Sequence, residues 1–194
     1  MKILLATKNR AKVQEIKAIL NNNFSFIDLL QFNGIGEPEE EADSLEANAL
    51  AKAIQSFNAT SILSLADDSG LFVDALKGRP GVFSARYGTD DRERIERLLR
   101  ELQGCEERSA TFKCVIAVVY REIREVFSGE CRGRIAHQPS GKAGFGYDPI
   151  FIPEGYDRTF AELGAVVKHQ ISHRAKALLQ AKAYLLNLAR QEER

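Results

Sequence analysis

Cysteine is scarce in this chain: Cys105, Cys114 and Cys131 are the three among 194 residues. They are odd in number and widely spaced, with no Cys-x-x-Cys pair, which argues against a disulfide framework or a zinc site and suits a reducing compartment. An excess of one charge is also missing, since 27 Lys and Arg balance 27 Asp and Glu. No global field therefore favours nucleic acid or an anionic membrane, and any anion site must be local. Long apolar runs are absent too. The stretch Lys2 to Ala6 is too short for a signal peptide and is followed by Lys8 and Arg10. Nothing approaches the length of a transmembrane helix, and a cytoplasmic protein is the expectation. No repeat, linker or low-complexity segment interrupts the chain, so residues 1–194 are expected to form one domain.

What is present alternates between strand and helix character. Ile3 to Ala6 reads as a buried strand, and Val13, Ile16 and Leu20 place a helix after it. Phe24 to Leu30 returns to strand. Asp43-Ser44-Leu45-Glu46 reads as a capping box before a helix carrying Leu50, Ile54 and Phe57. Ser61 to Ala66 reads as a strand ending at a turn, Asp67-Asp68-Ser69-Gly70, with Leu71 to Val73 a further short strand. Thr89 can cap a helix carrying Ile95, Leu98, Leu99 and Leu102. Ala110 to Tyr120 is the longest strand expected, with Cys114 a small core residue in it, and Glu125 to Ile135 can return beside it. Ile150 to Ile152 is a short strand, Thr159-Phe160-Ala161-Glu162 a second capping box, and a last helix begins near Ser172. This alternation predicts an α/β domain with a mixed sheet.

Four segments carry chemistry. Gly144-Phe145-Gly146-Tyr147-Asp148-Pro149, with Lys168, His173 and Arg174 beyond it, brings an aromatic face, a carboxylate and cations together, as recognition of a flat heterocycle with an attached anion requires. The glycine pair alone also fits a tight hairpin. Thr7 to Lys12 is a polar turn between a strand and a helix, where backbone N–H groups and Thr7, Asn9 and Lys12 could meet an anion. It lacks both the Walker and the Rossmann glycines; taken alone, an ordinary helix start with solvated lysines is the favoured account, and its place at the end of a first strand narrows the gap. Asp67 and Asp68 are adjacent carboxylates that repel unless a cation or donors offset them. Magnesium suits such a site because it takes one or two protein carboxylates and fills its other positions with water and phosphate. An Asx-turn needs only one of the two. The acidic run Glu37 to Asp43 is a solvated loop in most readings, one member of which could complete the metal site. Phosphate cradle, hard-cation site and stacking pocket together describe a nucleoside triphosphate with magnesium.

With these landmarks in order, the chain resembles the inosine triphosphate pyrophosphatase family, hydrolases of non-standard purine nucleoside triphosphates. The resemblance rests on Leu5-Ala6-Thr7-x-Asn9-x-x-Lys12, Glu46-x-Asn48-Ala49-x-x-Lys52-Ala53 and Ala66-Asp67-Asp68-Ser69-Gly70-Leu71. It continues through Gly78-x-Pro80-Gly81-x-x-Ser84-Ala85-Arg86-Tyr87, Gly144 to Phe151 and Lys168-x-x-Ile171-Ser172-His173-Arg174. It implies an elongated mixed β-sheet flanked by helices, in two lobes with a central cleft, and usually a homodimer. It implies magnesium-dependent hydrolysis of ITP, dITP or XTP to the monophosphate and pyrophosphate. By motif position, Asp68 would be the general base and, with Glu40, hold the metal. Thr7, Asn9 and Lys12 would bind phosphates and Ser69 would touch substrate. Phe145, Gly146, Tyr147, Asp148, Lys168, His173 and Arg174 would line the nucleotide pocket; Arg174 offers only donors, so it can pair with a 6-keto oxygen and not with a 6-amino group. A non-catalytic nucleotide sensor would use the same base pocket without a positioned water, and turnover separates the two.

Overall fold

Val13, Ile16 and Leu20 at helical spacing do build a helix, α1, over Arg10–Leu20. The computed structural model describes residues 1–20, 23–32 and 43–192. In chain order it comprises β1 (Lys2–Leu5), α1, β2 (Ser25–Asp28), α2 (Leu45–Thr60), β3 (Ser64–Val73), β4 (Pro80–Gly81), α3 (Asp91–Glu101), β5 (Ser109–Tyr120), β6 (Ile123–Ile135), β7 (Phe151–Pro153), α4 (Phe160–Ile171) and α5 (His173–Glu192). The strands follow the order β2-β1-β3-β5-β6-β7, with β4 against β3. β1 runs parallel to β2 and β3, whereas β3–β4 and β6–β7 are antiparallel. The fold is α/β with a mixed sheet flanked by helices, as expected. Among the described residues no helix is long and apolar enough to cross a membrane.

The chain forms two compact units: Met1–Asp68, Cys114–Gly129 and Arg174–Arg194 make the first, Ser69–Lys113 and Glu130–His173 the second. In the first, β1 registers Leu4 opposite Ile27 of β2 and Ser64 of β3. Ile3, Leu5, Leu65, Ile116 and Val118 pack there with Ile16 and Leu20 of α1 and Leu178 and Leu185 of α5. A second cluster is made almost wholly of alanines, with Ala49 and Ala53 of α2 against Ala6, Ala66 and Ala117. Small residues let α2 approach the strands closely, which carries Asn48 and Lys52 to the middle of β3. The second unit has its own core of Leu71, Val73, Leu98, Phe112, Phe151 and Phe160.

Three local expectations are corrected. β3 does not end at Asp67; it continues through Asp68, Ser69 and Gly70 to Val73. Two buried carboxylates are tolerated in the strand because each meets cations, and Gly70 is required because a Cβ there would collide with the Gly81 carbonyl. The α2 cap is Ser44, whose hydroxyl accepts from Ala47 N–H, so the capping box expected from Asp43 and Glu46 does not form. Asp90 caps α3 in place of Thr89. The box at Thr159 and Glu162 is complete in both directions.

Candidate active site

The first unit holds two buried ion networks. Asp67 is 1% exposed and Arg174 2%. Arg174 Nε donates to Asp67 Oδ2 at 2.8 Å and Nη2 to Oδ1 at 3.3 Å, while Nη1 donates to Glu15. Lys12 Nζ pairs with Asp67 from α1, and Cys114 Sγ lies 3.1 Å from Asp67 Oδ2. Two cations thus balance two carboxylates out of water, an arrangement that persists only when every charge is paired. Burial alone would raise the Asp67 carboxyl, but Arg174 and Lys12 override it and hold it well below the usual carboxylate range.

Asp68, next in the strand, faces a different set. Lys52 Nζ lies 2.8 Å from its Oδ1 and Asn48 Nδ2 donates to its Oδ2 at 3.2 Å. Asn48 and Lys52 stand one turn apart on α2, so one helix face presents both donors. Among the described residues no three His, Cys, Asp or Glu side chains gather where they could hold an ion. Glu40, the expected second ligand, lies outside the described residues.

The turn between β1 and α1 is more self-contained than the sequence suggests. Asn9 Oδ1 accepts from the N–H groups of Ala11 at 3.0 Å and Lys12 at 3.2 Å, and Thr7 Oγ1 accepts from Asn9 N–H. Asn9 caps α1 with its own side chain, so those two amides are not open to an anion. Lys12 already faces Asp67.

The second unit positions the glycine-rich segment. Asp148 Oδ2 accepts from Phe145 N–H at 2.9 Å and pairs with Lys168, whose Nζ sits 4.5 Å from the centre of the Phe145 ring. Gly144 has φ +80°, and a Cβ there would strike the Asp148 carboxylate. Tyr147 is buried and donates to the Ser84 carbonyl at 3.0 Å; burial pushes its phenol upward. His173 stacks on Phe112 with ring centres 4.6 Å apart and 7° between planes. Ser69 is half-buried in β3.

The structure therefore brings together Phe145, Gly146, Tyr147, Asp148 and Lys168 in one unit, and Lys12, Asp67, Asp68 and Arg174 in the other. The three nitrogens of the Arg174 guanidinium donate to carboxylates of the first unit, a buried ion-pair role. Sequence reasoning gave no role to Asn48, Lys52 and Glu15. Asn48 and Lys52 lie within the Glu46 to Ala53 motif, and their spacing of four is the available signal; Glu15 carries none.

An α/β chain with ion-paired carboxylates at consecutive strand positions and a clamped aromatic loop defines the class. The particular family follows from comparison. The Ham1 family profile matches residues 3–184, and the chain belongs to the Ham1 family. It is 44% identical over 186 residues to a dITP/XTP pyrophosphatase of Desulfotalea psychrophila, covering 93% of this chain and 83% of the relative. It is 43% identical to one of Thermosynechococcus vestitus, covering 95% of each. Among solved structures, a HAM1 protein from Coxiella burnetii superposes with a TM-score of 0.87 at 39% identity, over 96% of this chain and 99% of that one.

Proposed function

We propose that this protein hydrolyses non-standard purine nucleoside triphosphates, dITP, XTP and ITP, to the monophosphate and pyrophosphate. The observation that carries the reading is Asp68 held between Lys52 and Asn48: a buried carboxylate, fixed in place by two donors of one helix face. The names of its relatives, dITP/XTP pyrophosphatases, supply the substrate class.

In this reading a water oxygen bonds to the α-phosphorus, the α–β anhydride bond breaks, and the water's proton passes to Asp68. Lys52 and Asn48 orient the carboxylate, leaving it little freedom to rotate away from the water. Lys12 is proposed to offset negative charge on the phosphates, with Arg174 left to balance Asp67. Phe145 supplies a stacking face and Lys168 a donor at the same loop. Magnesium is the ion proposed, on the family resemblance: Asp68 is a hard oxygen ligand, Asp67 is turned to Arg174, and Glu40 is the second ligand proposed. When bound, the ion supplies charge neutralisation on the triphosphate. We also propose a homodimer in the cytoplasm, on the family resemblance.

The test is incubation with magnesium and a panel of triphosphates, separating pyrophosphate from phosphate chromatographically. Pyrophosphate released from dITP or XTP well ahead of dATP is expected. Binding without turnover would make the protein a nucleotide sensor, and release of orthophosphate would overturn attack at the α-phosphorus.

A further inference from the structure

Two consecutive amides of the glycine-rich loop each meet a carboxylate. Phe145 N–H donates to Asp148, inside the loop, and Gly146 N–H donates to Asp91 Oδ2 at 2.7 Å. Asp91 stands at the start of α3, 55 residues away in sequence. Its other oxygen takes Arg94 Nη1 at 2.7 Å, and Arg94 Nε is anchored on the Gly88 carbonyl at 3.2 Å. We infer that Asp91 is a positioning residue for the base-binding loop, acting through the Gly146 amide, an inference that rests on the function proposed above.

Three observations support it. The capping of α3 is already done by Asp90, which accepts from Glu93 N–H at 2.8 Å, so Asp91 is not needed as the cap. Gly146 has φ +61°, and a Cβ built on it would meet nothing within 4 Å. A side chain here would find open space, and the Gly146 amide is held by its hydrogen bond to Asp91. The peptide between Phe145 and Gly146 sets the direction of the Phe145 ring, so two carboxylates gripping neighbouring amides fix the stacking platform from both sides. Charge-assisted bonds of this kind are the stronger ones.

The experiment compares Asp91→Ala, Asp91→Asn and Phe145→Ala with the unaltered protein, each checked for folding by thermal melt. Asp91→Ala is expected to raise KM for dITP about tenfold, the effect of one charge-assisted bond at a half-exposed site, with kcat nearly unchanged. Inhibition by inorganic tripolyphosphate, which has no base, is expected to stay the same. Exchange of the Gly146 amide should accelerate by about tenfold. Asp91→Asn, whose amide oxygen still accepts, should restore most of both. Unchanged KM and unchanged Gly146 exchange in folded Asp91→Ala would overturn the inference, as would an equal loss for tripolyphosphate. If Phe145→Ala raises KM for dITP and Asp91→Ala does not, Asp91 alone loses its role. If Phe145→Ala has no effect, the loop is not the base platform and both readings fall.

Discussion

Arg174 grips Asp67 with two guanidinium nitrogens while its third reaches Glu15, so one side chain on α5 neutralises carboxylates from β3 and α1. The pairing joins elements far apart in sequence, and every charge in it is largely shielded from water. Removing one member leaves others buried without a counter-charge.

Arg174→Ala is accordingly expected to cost about 3–5 kcal/mol of stability, the range for breaking a buried pair on one side. Urea unfolding measures it. A loss below about 1 kcal/mol, the scale of an exposed pair, would mean the network reorganises without Arg174.

Acid should find the same network. Although burial raises the Asp67 carboxyl, Arg174 and Lys12 lower it further and hold it well below the usual carboxylate range. With the folded value depressed, the unfolded chain takes up the proton first as pH falls. The stabilisation is complete above the unfolded value and is lost as pH descends from there through the folded one. Asp67→Asn should be less stable at neutral pH and show a shallower acid limb than the unaltered protein. Urea midpoints from neutral to strongly acidic pH check this; identical limbs would remove Asp67 from the acid dependence.

Asp68→Asn is expected to keep the fold and lower kcat by at least about 100- to 10,000-fold, the contribution of a general base. The carboxamide cannot take the water's proton, and Lys52 loses its counter-charge. Rates measured at saturating dITP with a melt beside them decide it, since near-normal turnover in a folded variant assigns the base elsewhere.

Gly144 and Gly155 have nearly the same backbone, φ +80° and +82°, yet a Cβ at Gly155 meets nothing within 4 Å whereas one at Gly144 strikes Asp148. Alanine at Gly155 should show only the strain of positive φ, about 1 kcal/mol. Alanine at Gly144 should add displacement of the Asp148 carboxylate and raise KM for dITP. Equal behaviour of the two variants would mean the loop yields without moving Asp148.

Much of the fold was legible in the chain because its signals are local. Apolar spacing marked α1, the Thr159 and Glu162 pair marked the start of α4, and the apolar stretch before Tyr120 marked β5. The break read at Asp67 to Gly70 was wrong for a tertiary reason: two carboxylates read as a polar turn unless one knows that Arg174, Lys12 and Lys52 wait beside them. Asn9 adds a role that the sequence did not show: its Oδ1 caps its own helix by accepting from Ala11 and Lys12 N–H.

By itself, then, the sequence determined the succession of strands and helices, the glycines that admit positive φ, and the set of charged groups available for chemistry, all of which depend on neighbours within a turn or two. Only the tertiary structure decided which charge each of them meets. Asp67 and Asp68 are identical in type and adjacent in the chain, but side chains alternate across a strand. One therefore turns to Arg174 and Lys12 and the other to Asn48 and Lys52. That division, which separates a structural carboxylate from the one proposed for catalysis, comes from packing α1, α2 and α5 around the same strand.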